Sequence, residues 1–197
     1  IRKESAIALG RIASPTYDSI SSLIKALDDE SDVVRTEVAK SLGKMGADAH
    51  DAIPPLMESL KDMSWTVRTA SAQAISEIGK ESTTAIPSLI SALEDNDWRV
   101  RSRVINTLTE IGEETIPFLL EIVNHENPIV RKGVSEALGE IGIADQKVME
   151  ELGKSLKDRK EGVRGKAADA LRSIGKDSIP TLIDMLIRVR YEEHLQL

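Results

Sequence analysis

The chain has 197 residues, a formal net charge of −7, 41% apolar residues, 3% aromatic residues and no cysteine. This composition excludes disulfides and thiolate metal sites, and the charge disfavours nucleic acid and anionic membranes, because both attract concentrated positive charge. No apolar run approaches the roughly 18 residues of a membrane span and no signal peptide is visible, so we expect a cytoplasmic protein with an aliphatic core.

A Val-Arg dipeptide recurs along the chain and defines an internal repeat. It stands at Val34-Arg35, Val67-Arg68, Val100-Arg101, Val130-Arg131 and Val163-Arg164, with Ile1-Arg2 as a variant. Successive arginines lie 33, 33, 33, 30 and 33 residues apart, and each is followed by an apolar residue after seven and after ten positions. Glycine follows after eleven positions in five copies. Chance would not keep this register six times, so the sequence predicts a repeat array.

Each copy of the repeat predicts two helices. The first helix begins near Val-Arg and has apolar residues at helical spacing, such as Val34, Val38 and Leu42. The glycine that follows is expected to end this helix with a positive φ. The second helix opens with an Ile-Pro pair, since proline is tolerated in a first turn. These pairs are Ile53-Pro54, Ile86-Pro87, Ile116-Pro117 and Ile179-Pro180. No segment alternates with period two, so no strand is expected.

The copies are expected to form one array that occupies residues 1–197. Their approximate bounds are 1–30, 31–63, 64–96, 97–126, 127–159 and 160–197. The last copy ends in LIRVRYEEHLQL, for which we expect an extended helix with a polar outer side that caps the array. The first copy starts at a first helix without a second helix before it, so we expect the natural protein to continue upstream.

The repeat resembles the short HEAT-like repeats of the phycobilisome-lyase type, within the HEAT-repeat superfamily. The resemblance rests on the D-x-x-x-x-V-R motifs, the helix ends SLGKMG and ALGEIG, and the second helices AIPPLMESL and AIPSLISAL. It implies an all-α fold, a right-handed α-solenoid of about six helix pairs, with the second helices lining the concave face. The signatures of ankyrin and tetratricopeptide repeats are absent from the sequence.

An aspartate lies six residues before the repeat arginine in four copies, at the junction with the preceding copy. Aspartate stabilises helix starts, and arginine bonds carboxylates and carbonyls with a planar fork. We therefore expect a structural ladder along the stack. Its members are Asp29, Arg35, Asp62, Arg68, Asp95, Arg101, Arg131, Asp158 and Arg164. His125 replaces the aspartate in the fourth loop, which predicts a weaker junction there.

The stretch NDWRVRSR, residues 96–103, combines a tryptophan with three arginines. Arg101 belongs to the ladder, and Trp98 has Trp65 at the same repeat position. The two tryptophans either cover seams between repeats or form an aromatic patch for a partner. No other repeat supplies matching basic residues, so this stretch does not predict nucleic-acid binding.

The second helices carry stripes of small or apolar residues outside the expected core. These stripes either pack between helices or form a shallow groove for a partner helix or peptide. The candidates for partner binding are Pro55, Ser59, Ser88, Ala92, Phe118, Ile122, Glu151, Ser155 and Met185, with Glu58, Glu121 and Lys154 as charges that set specificity. Phe118, the only phenylalanine, is the expected hot spot.

We expect a non-catalytic scaffold that binds a partner protein or peptide on the concave face, without cofactor, metal, nucleic acid or membrane. The sequence predicts neither the identity of the partner nor the oligomeric state. The alternative is an enzyme subunit, either for bilin attachment, as the lyase resemblance implies, or for metal-dependent hydroxylation. HEAT-like deoxyhypusine hydroxylase binds iron through repeated His-Glu dipeptides, whereas this chain has only His125-Glu126, and its other histidines, His50 and His194, lie elsewhere in the repeat.

Overall fold

The computed structural model describes residues 1–12 and 15–194, and gives the backbone alone for residues 80, 81 and 188–194. The described chain is all-helical and contains no strand, which confirms the predicted fold class. Its α-helices are α1 (Arg2–Leu9), α2 (Tyr17–Ala26), α3 (Asp32–Lys44), α4 (Ile53–Ser59), α5 (Trp65–Ile78), α6 (Ile86–Ala92), α7 (Trp98–Ile111), α8 (Ile116–Glu121), α9 (Pro128–Ile141), α10 (Gln146–Ser155), α11 (Glu161–Ile174) and α12 (Ile179–His194).

Odd-numbered helices are the first helices of the copies, and even-numbered helices are the second. From α3 onward each first helix begins three residues before the repeat arginine, slightly earlier than the Val-Arg pair predicts. The residue before it is extended and serves as N-cap, as Ser64 does for α5 and Asp97 for α7. The glycines after five first helices have positive φ, for example 91° at Gly79 and 89° at Gly112, which confirms the predicted helix ends. No non-glycine residue in the described part has positive φ.

The chain divides into two compact units, residues 1–118 (unit 1) and residues 119–197 (unit 2). In unit 1 the first helices α1, α3, α5 and α7 pack in sequence order. The core beneath them is aliphatic, and includes the fully buried Leu42, Leu56, Ile75, Leu89 and Leu108. In unit 2 the first helices α9 and α11 pack together over Leu138, Leu152 and Leu171.

Small residues allow neighbouring first helices to approach closely. A Cβ added at Gly43 would lie 2.9 Å from Cα of Ala74, and one added at Gly139 would lie 2.5 Å from Cα of Ala170. These distances are shorter than any relaxed carbon contact, so both positions require glycine for packing rather than for backbone freedom.

Buried hydroxyl groups hold the connection after the first helix, and sequence reasoning missed them. Thr115 and Ser178, each fourteen residues after a repeat arginine, are buried. The Thr115 hydroxyl donates to the carbonyl of Gly112 (2.7 Å), and the Ser178 hydroxyl lies 2.7 Å from both the Leu171 and the Gly175 carbonyl oxygens. Ser82, at the same position of another copy, bonds the Ile75 carbonyl. These bonds give a side-chain donor to carbonyls at the carboxyl end of the first helix, where few intrahelical donors remain.

Helix α12 extends to His194, as the sequence predicts for the last helix. The polar outer side expected from residue 186 onward is wrong for Leu186 and Ile187, which are both exposed. With Ile179 and Ile183 they form one exposed apolar stripe, because the helical period places positions i, i+4, i+7 and i+8 on one face. The expected polar side chains further along, from 188 onward, lie outside the described side chains.

Candidate binding surface

Arginine and aspartate pairs recur in successive copies of unit 1. The guanidinium of Arg35 donates to both carboxylate oxygens of Asp62 (Nε 2.7 Å, Nη2 2.9 Å) and from Nη1 to the Asp29 carbonyl oxygen (2.7 Å). The pairing of a repeat arginine with the carboxylate of a later aspartate also occurs in Arg2–Asp29 and Arg68–Asp95. Each of these arginines therefore reaches 27 residues ahead. The fork geometry and low exposure favour order in the Arg35–Asp62 and Arg68–Asp95 pairs, whereas the Arg2 side chain is largely exposed.

The same pair occurs in unit 2 between Arg131 and Asp158, at 2.7 and 3.0 Å. Arg131 is only 6% exposed and also donates to the carbonyls of His125 and Glu126. Arg101 and Arg164 differ from it. Each donates to the carbonyl of the aspartate six residues before it, and neither has a carboxylate bond within the described side chains.

The ladder lowers the pKa of Asp62 and Asp158. The pKa of Asp158 is lowered first by the hydrogen bond from Arg131, against the opposing effect of burial. For Asp62, burial raises the pKa most, but hydrogen bonds from Arg35 and from the Ser64 amide outweigh it and leave the pKa below its usual value. These carboxylates are therefore held in their charged form.

Arg99 and Arg101, two of the three arginines of residues 96–103, make different contacts in the structure. Arg99 lies with Cζ 3.4 Å from the centroid of the Trp65 ring, a cation–π contact. It also donates from Nη2 to Asp97 (2.6 Å), and this hydrogen bond is the main reason that the pKa of Asp97 falls to about 2. Trp65 is 36% exposed, whereas Trp98 is 67% exposed. Sequence reasoning missed this contact of Arg99 with Trp65.

Two grooves separate the second helices of unit 1. The first, the α2–α4 groove, has a volume of about 480 Å³. It is lined by Ile24, Lys25, Leu27, Asp28, Pro55, Glu58, Ser59, Lys61 and Asp62. The second, the α4–α6 groove, has a volume of about 420 Å³. It is lined by Met57, Leu60, Lys61, Pro87, Ser88, Ser91, Ala92, Glu94 and Asp95.

The grooves bring together five of the residues that the sequence proposes for partner binding. Pro55, Glu58 and Ser59 line the α2–α4 groove, and Ser88 and Ala92 line the α4–α6 groove. All five are at least partly exposed. These stripe positions are small because a groove replaces side-chain packing there.

The remaining candidates lie elsewhere. Phe118 is 37% exposed on α8, which also carries the exposed Glu121, and Ile122 follows the helix directly. In unit 2, Lys154 donates to Glu151 at 2.7 Å, an exposed pair one turn apart, and the Ser155 hydroxyl donates to the Glu151 carbonyl. Met185 on α12 lies close to Gly153, where an added Cβ would approach its side chain to 3.6 Å.

A further polar pocket of about 290 Å³ lies in unit 1, lined by Ser76, Gly79, Thr83, Glu110, Ile111 and Glu114. The Ser76 hydroxyl donates to Glu110 there.

Within the described residues, no group of three or more histidine, aspartate or glutamate side chains has the geometry of a metal site. No helix in the described part of the chain is both long and apolar enough to cross a bilayer.

The chain belongs to the HEAT repeat family. The family model for HEAT repeats matches residues 1–76, 53–125, 86–147 and 116–192, so that the matches together cover nearly the whole chain. This confirms the resemblance seen in the repeat motifs. No curated protein matches the sequence.

Several solved structures share the fold at low identity. A TOG domain array of crescerin, which regulates microtubules in the primary cilium, is 20% identical over 86% of this chain and 83% of its own, with a TM-score of 0.63. The CpcE–CpcF complex of phycocyanin lyase from Nostoc sp. PCC7120 is 21% identical over 93% and 87%, with a TM-score of 0.55. A designed armadillo repeat protein in complex with the peptide (KR)4 is 20% identical over 86% and 91%, with a TM-score of 0.53.

Proposed function

We propose that this protein is a non-catalytic scaffold that binds a partner protein or peptide along the second helices of unit 1. The observation that carries the proposal is the pair of adjacent grooves, α2–α4 and α4–α6. Their volumes fall in the range of about 300 to 1,000 Å³ typical of ligand sites. Two grooves side by side suit an elongated partner better than a single small molecule.

The chemistry of the groove walls supports a peptide partner. Ser59, Ser88 and Ala92 are small, so a peptide backbone could approach the helices closely. Aliphatic groups of Ile24, Leu27, Met57 and Leu60 form part of the two groove walls. Apolar walls with a few polar groups and charged rims are typical of protein interfaces.

The likeness to the designed armadillo repeat protein supports the same class of partner. That protein is described in complex with a peptide, and it shares the stacked helix pairs of this chain. The proposal extends to Phe118, Glu121 and Ile122 and to the candidates of unit 2, which are Glu151, Lys154, Ser155 and Met185. We also propose that residues 1–197 form one array of repeats and that the protein is cytoplasmic.

Filling one groove tests the proposal. We expect Ser88→Trp to block the α4–α6 groove, since Ser88 is a partly exposed residue of α6. Asn106→Trp, at an exposed position of the first helix α7, is the matched control. The two variants and the original protein are used as bait in lysate of the source cells, and the retained molecules are identified by mass spectrometry.

A protein retained by the original chain and by Asn106→Trp, but lost from Ser88→Trp, supports the scaffold function. Unchanged retention by a helical Ser88→Trp variant contradicts the assignment to this groove. Retention of a coloured tetrapyrrole or a stoichiometric metal in place of a protein contradicts the scaffold function and favours the enzyme alternative.

A further inference from the structure

We propose that the grooves of unit 1 bind an extended segment rich in arginine and lysine, and that one of its cations stacks on Trp98. This inference rests on the proposed function and specifies the chemistry of the partner. It depends on three features of unit 1: its charge, the ends of its second helices, and the different surroundings of its two tryptophans.

The negative charge of the chain is concentrated in unit 1. Residues 1–118 carry 13 lysines and arginines against 19 aspartates and glutamates, whereas residues 119–197 carry 13 against 14. A polycation is therefore attracted to unit 1 more strongly than to unit 2, at separations up to a Debye length of about 8 Å at physiological salt.

Exposed carboxylates lie at the carboxyl ends of three successive second helices. Asp28 follows α2, Glu58 belongs to the last turn of α4, and Glu94 follows α6. All three line the grooves. A helix carboxyl end is itself negative, because its last carbonyls point outward, so carboxylate and helix dipole favour a cation together.

Lys25 and Lys61 also line the α2–α4 groove, so a basic partner must compete with them for its carboxylates. Lys61 lies 3.2 Å from Glu58, and both side chains are largely exposed. Exposed pairs of this kind contribute about 0 to 1 kcal/mol, so an arginine that bonds Glu58 with two donors can displace Lys61. The ladder shows the same preference within the chain, since Arg35 and Arg68 each bond a carbonyl at the end of a second helix.

Trp65 shows what a tryptophan at this repeat position binds. Its ring is covered by Arg99, which stands two residues before the repeat arginine of the next copy. The residue two before Arg131 is Ile129, so the sequence places no cation at that position for Trp98. Trp98 is correspondingly more exposed than Trp65, and it begins α7 three residues after Asp95 of the α4–α6 groove. Its ring is suited to a guanidinium or ammonium group from outside the chain.

The length of an extended peptide fits the spacing of the helices. Neighbouring helices pack about 10 Å apart, so α2, α4 and α6 together span about 20 Å. Eight extended residues reach about 26 Å at most. An octapeptide can therefore cross all three helix ends and still present a side chain to Trp98.

Binding of a synthetic octapeptide to the full chain tests the inference. The probe alternates arginine and serine and carries fluorescein, and its control replaces each arginine by citrulline, which keeps the shape and removes the charge. Fluorescence anisotropy should show saturable binding of the arginine peptide, weakened by salt, and at least tenfold weaker binding of the citrulline peptide.

Two variants with the same change of charge test the location. Asp28→Asn/Glu58→Gln removes two groove carboxylates, and we expect at least a fivefold loss of affinity. Glu113→Gln/Glu114→Gln removes two exposed carboxylates outside these grooves and should cost less than twofold. Equal losses in the two variants would mean non-specific attraction and would overturn the inference.

The stacking is tested at Trp98. A cation over an exposed aromatic ring contributes about 0.5 to 1 kcal/mol, so Trp98→Leu should weaken the arginine peptide about two- to fivefold, and Trp98→Phe should restore part of the loss. Unchanged affinity in Trp98→Leu would contradict this contact.

The Ser88→Trp variant distinguishes the proposed scaffold function from the proposed binding of a basic segment. If the arginine peptide does not bind while Ser88→Trp still abolishes capture of a partner protein, the basic segment is wrong and the scaffold function stands. If the peptide binds Ser88→Trp as well as the original chain, its site is outside the α4–α6 groove and the inference fails. If Ser88→Trp alters neither binding, both proposals fail.

Discussion

Units 1 and 2 contain the same repeat and present different surfaces. The part-buried pair Arg35–Asp62 of unit 1 has its counterpart in Arg131–Asp158 of unit 2, with nearly equal distances. Outside such positions they diverge, since unit 1 exposes Trp98 and the carboxylates at its second-helix ends, and unit 2 exposes the apolar stripe of α12. The repeat signature therefore governs packing between helices, and the positions that it leaves free determine what each unit can bind.

The connections after the first helices also differ from copy to copy. At the fourteenth position after the repeat arginine, unit 1 has the buried hydroxyl of Thr115, which bonds the carbonyl of Gly112. In unit 2 that position holds Asp145 before α10, which instead caps the helix by accepting the Val148 amide at 3.0 Å. Ser178 restores the hydroxyl in the next copy. One repeat position thus satisfies different backbone groups, depending on the local connection.

The largest expected difference in unfolding free energy is between alanine variants of two ladder arginines. Arg131→Ala leaves Asp158 without its fork partner in a buried setting and should destabilise the chain by about 3 kcal/mol. Arg101→Ala removes one bond to a carbonyl and should cost about 1 kcal/mol. Urea unfolding followed by far-ultraviolet circular dichroism measures both. Equal losses would show that the carboxylate bond adds nothing to the carbonyl bond.

The glycines of unit 2 provide the next comparison. Gly139→Ala brings Cβ to 2.5 Å from the Ala170 backbone and should cost about 2 kcal/mol by overpacking. Gly165→Ala has no atom within 4 Å of the new Cβ and should instead stabilise α11, by up to about 1 kcal/mol. Thermal unfolding midpoints should move in opposite directions. A stabilised Gly139→Ala variant would mean that α9 and α11 can separate without loss.

The buried hydroxyls test whether the two units hold their connections in the same way. Thr115→Val in unit 1 and Ser178→Ala in unit 2 each remove the hydrogen bonds of a buried hydroxyl to helix-end carbonyls, and each should cost about 1 kcal/mol. Ser91→Ala, whose exposed hydroxyl bonds only the Pro87 carbonyl of its own helix, is the control and should change stability by less than about 0.5 kcal/mol. Urea midpoints compare the three variants, and losses no greater than that of the control would refute the role of the hydroxyls.

The smallest expected effect is a loss of stability on acidification, and it comes from the aspartates with lowered pKa. In the described part these are Asp29, Asp62 and Asp97 in unit 1 and Asp158 in unit 2. Because their pKa is lower in the folded chain than the usual 3.8, the unfolded chain binds more protons in this range. Their contribution to stability is therefore complete above about pH 5 and is lost as the pH falls towards the folded values, about 2 for Asp97.

Unit 1 should consequently lose structure before unit 2 on acidification. Two-dimensional nuclear magnetic resonance spectra at pH 5 and pH 2.5 distinguish the units by their own resonances. Asp97→Asn should reduce the dependence of unit 1 on pH while leaving unit 2 unchanged. Simultaneous loss of both units in the original chain would contradict the difference between them.

The proposed binding surface was only partly predictable from the sequence. The stripe positions Ser59, Ser88 and Ala92 follow from helical periodicity, because they fall between the core positions of second helices. Periodicity does not reveal whether small residues pack against a neighbour or line a groove, since both uses need small side chains. The contact of Arg99 with Trp65 was missed for a related reason, since the two residues are far apart in sequence and meet only when copies stack.

Local sequence was enough to predict the repeat, the all-helical class and the glycine at five first-helix ends, because these depend on periodicity and on backbone conformations that few residues adopt. The order of the helices followed from the order of the copies. The packed structure was needed to see which side chains meet between copies, such as Arg99 with Trp65, and where neighbouring second helices leave a groove. Those features depend on the distance and angle between packed helices, which arise from many contacts summed over both partners.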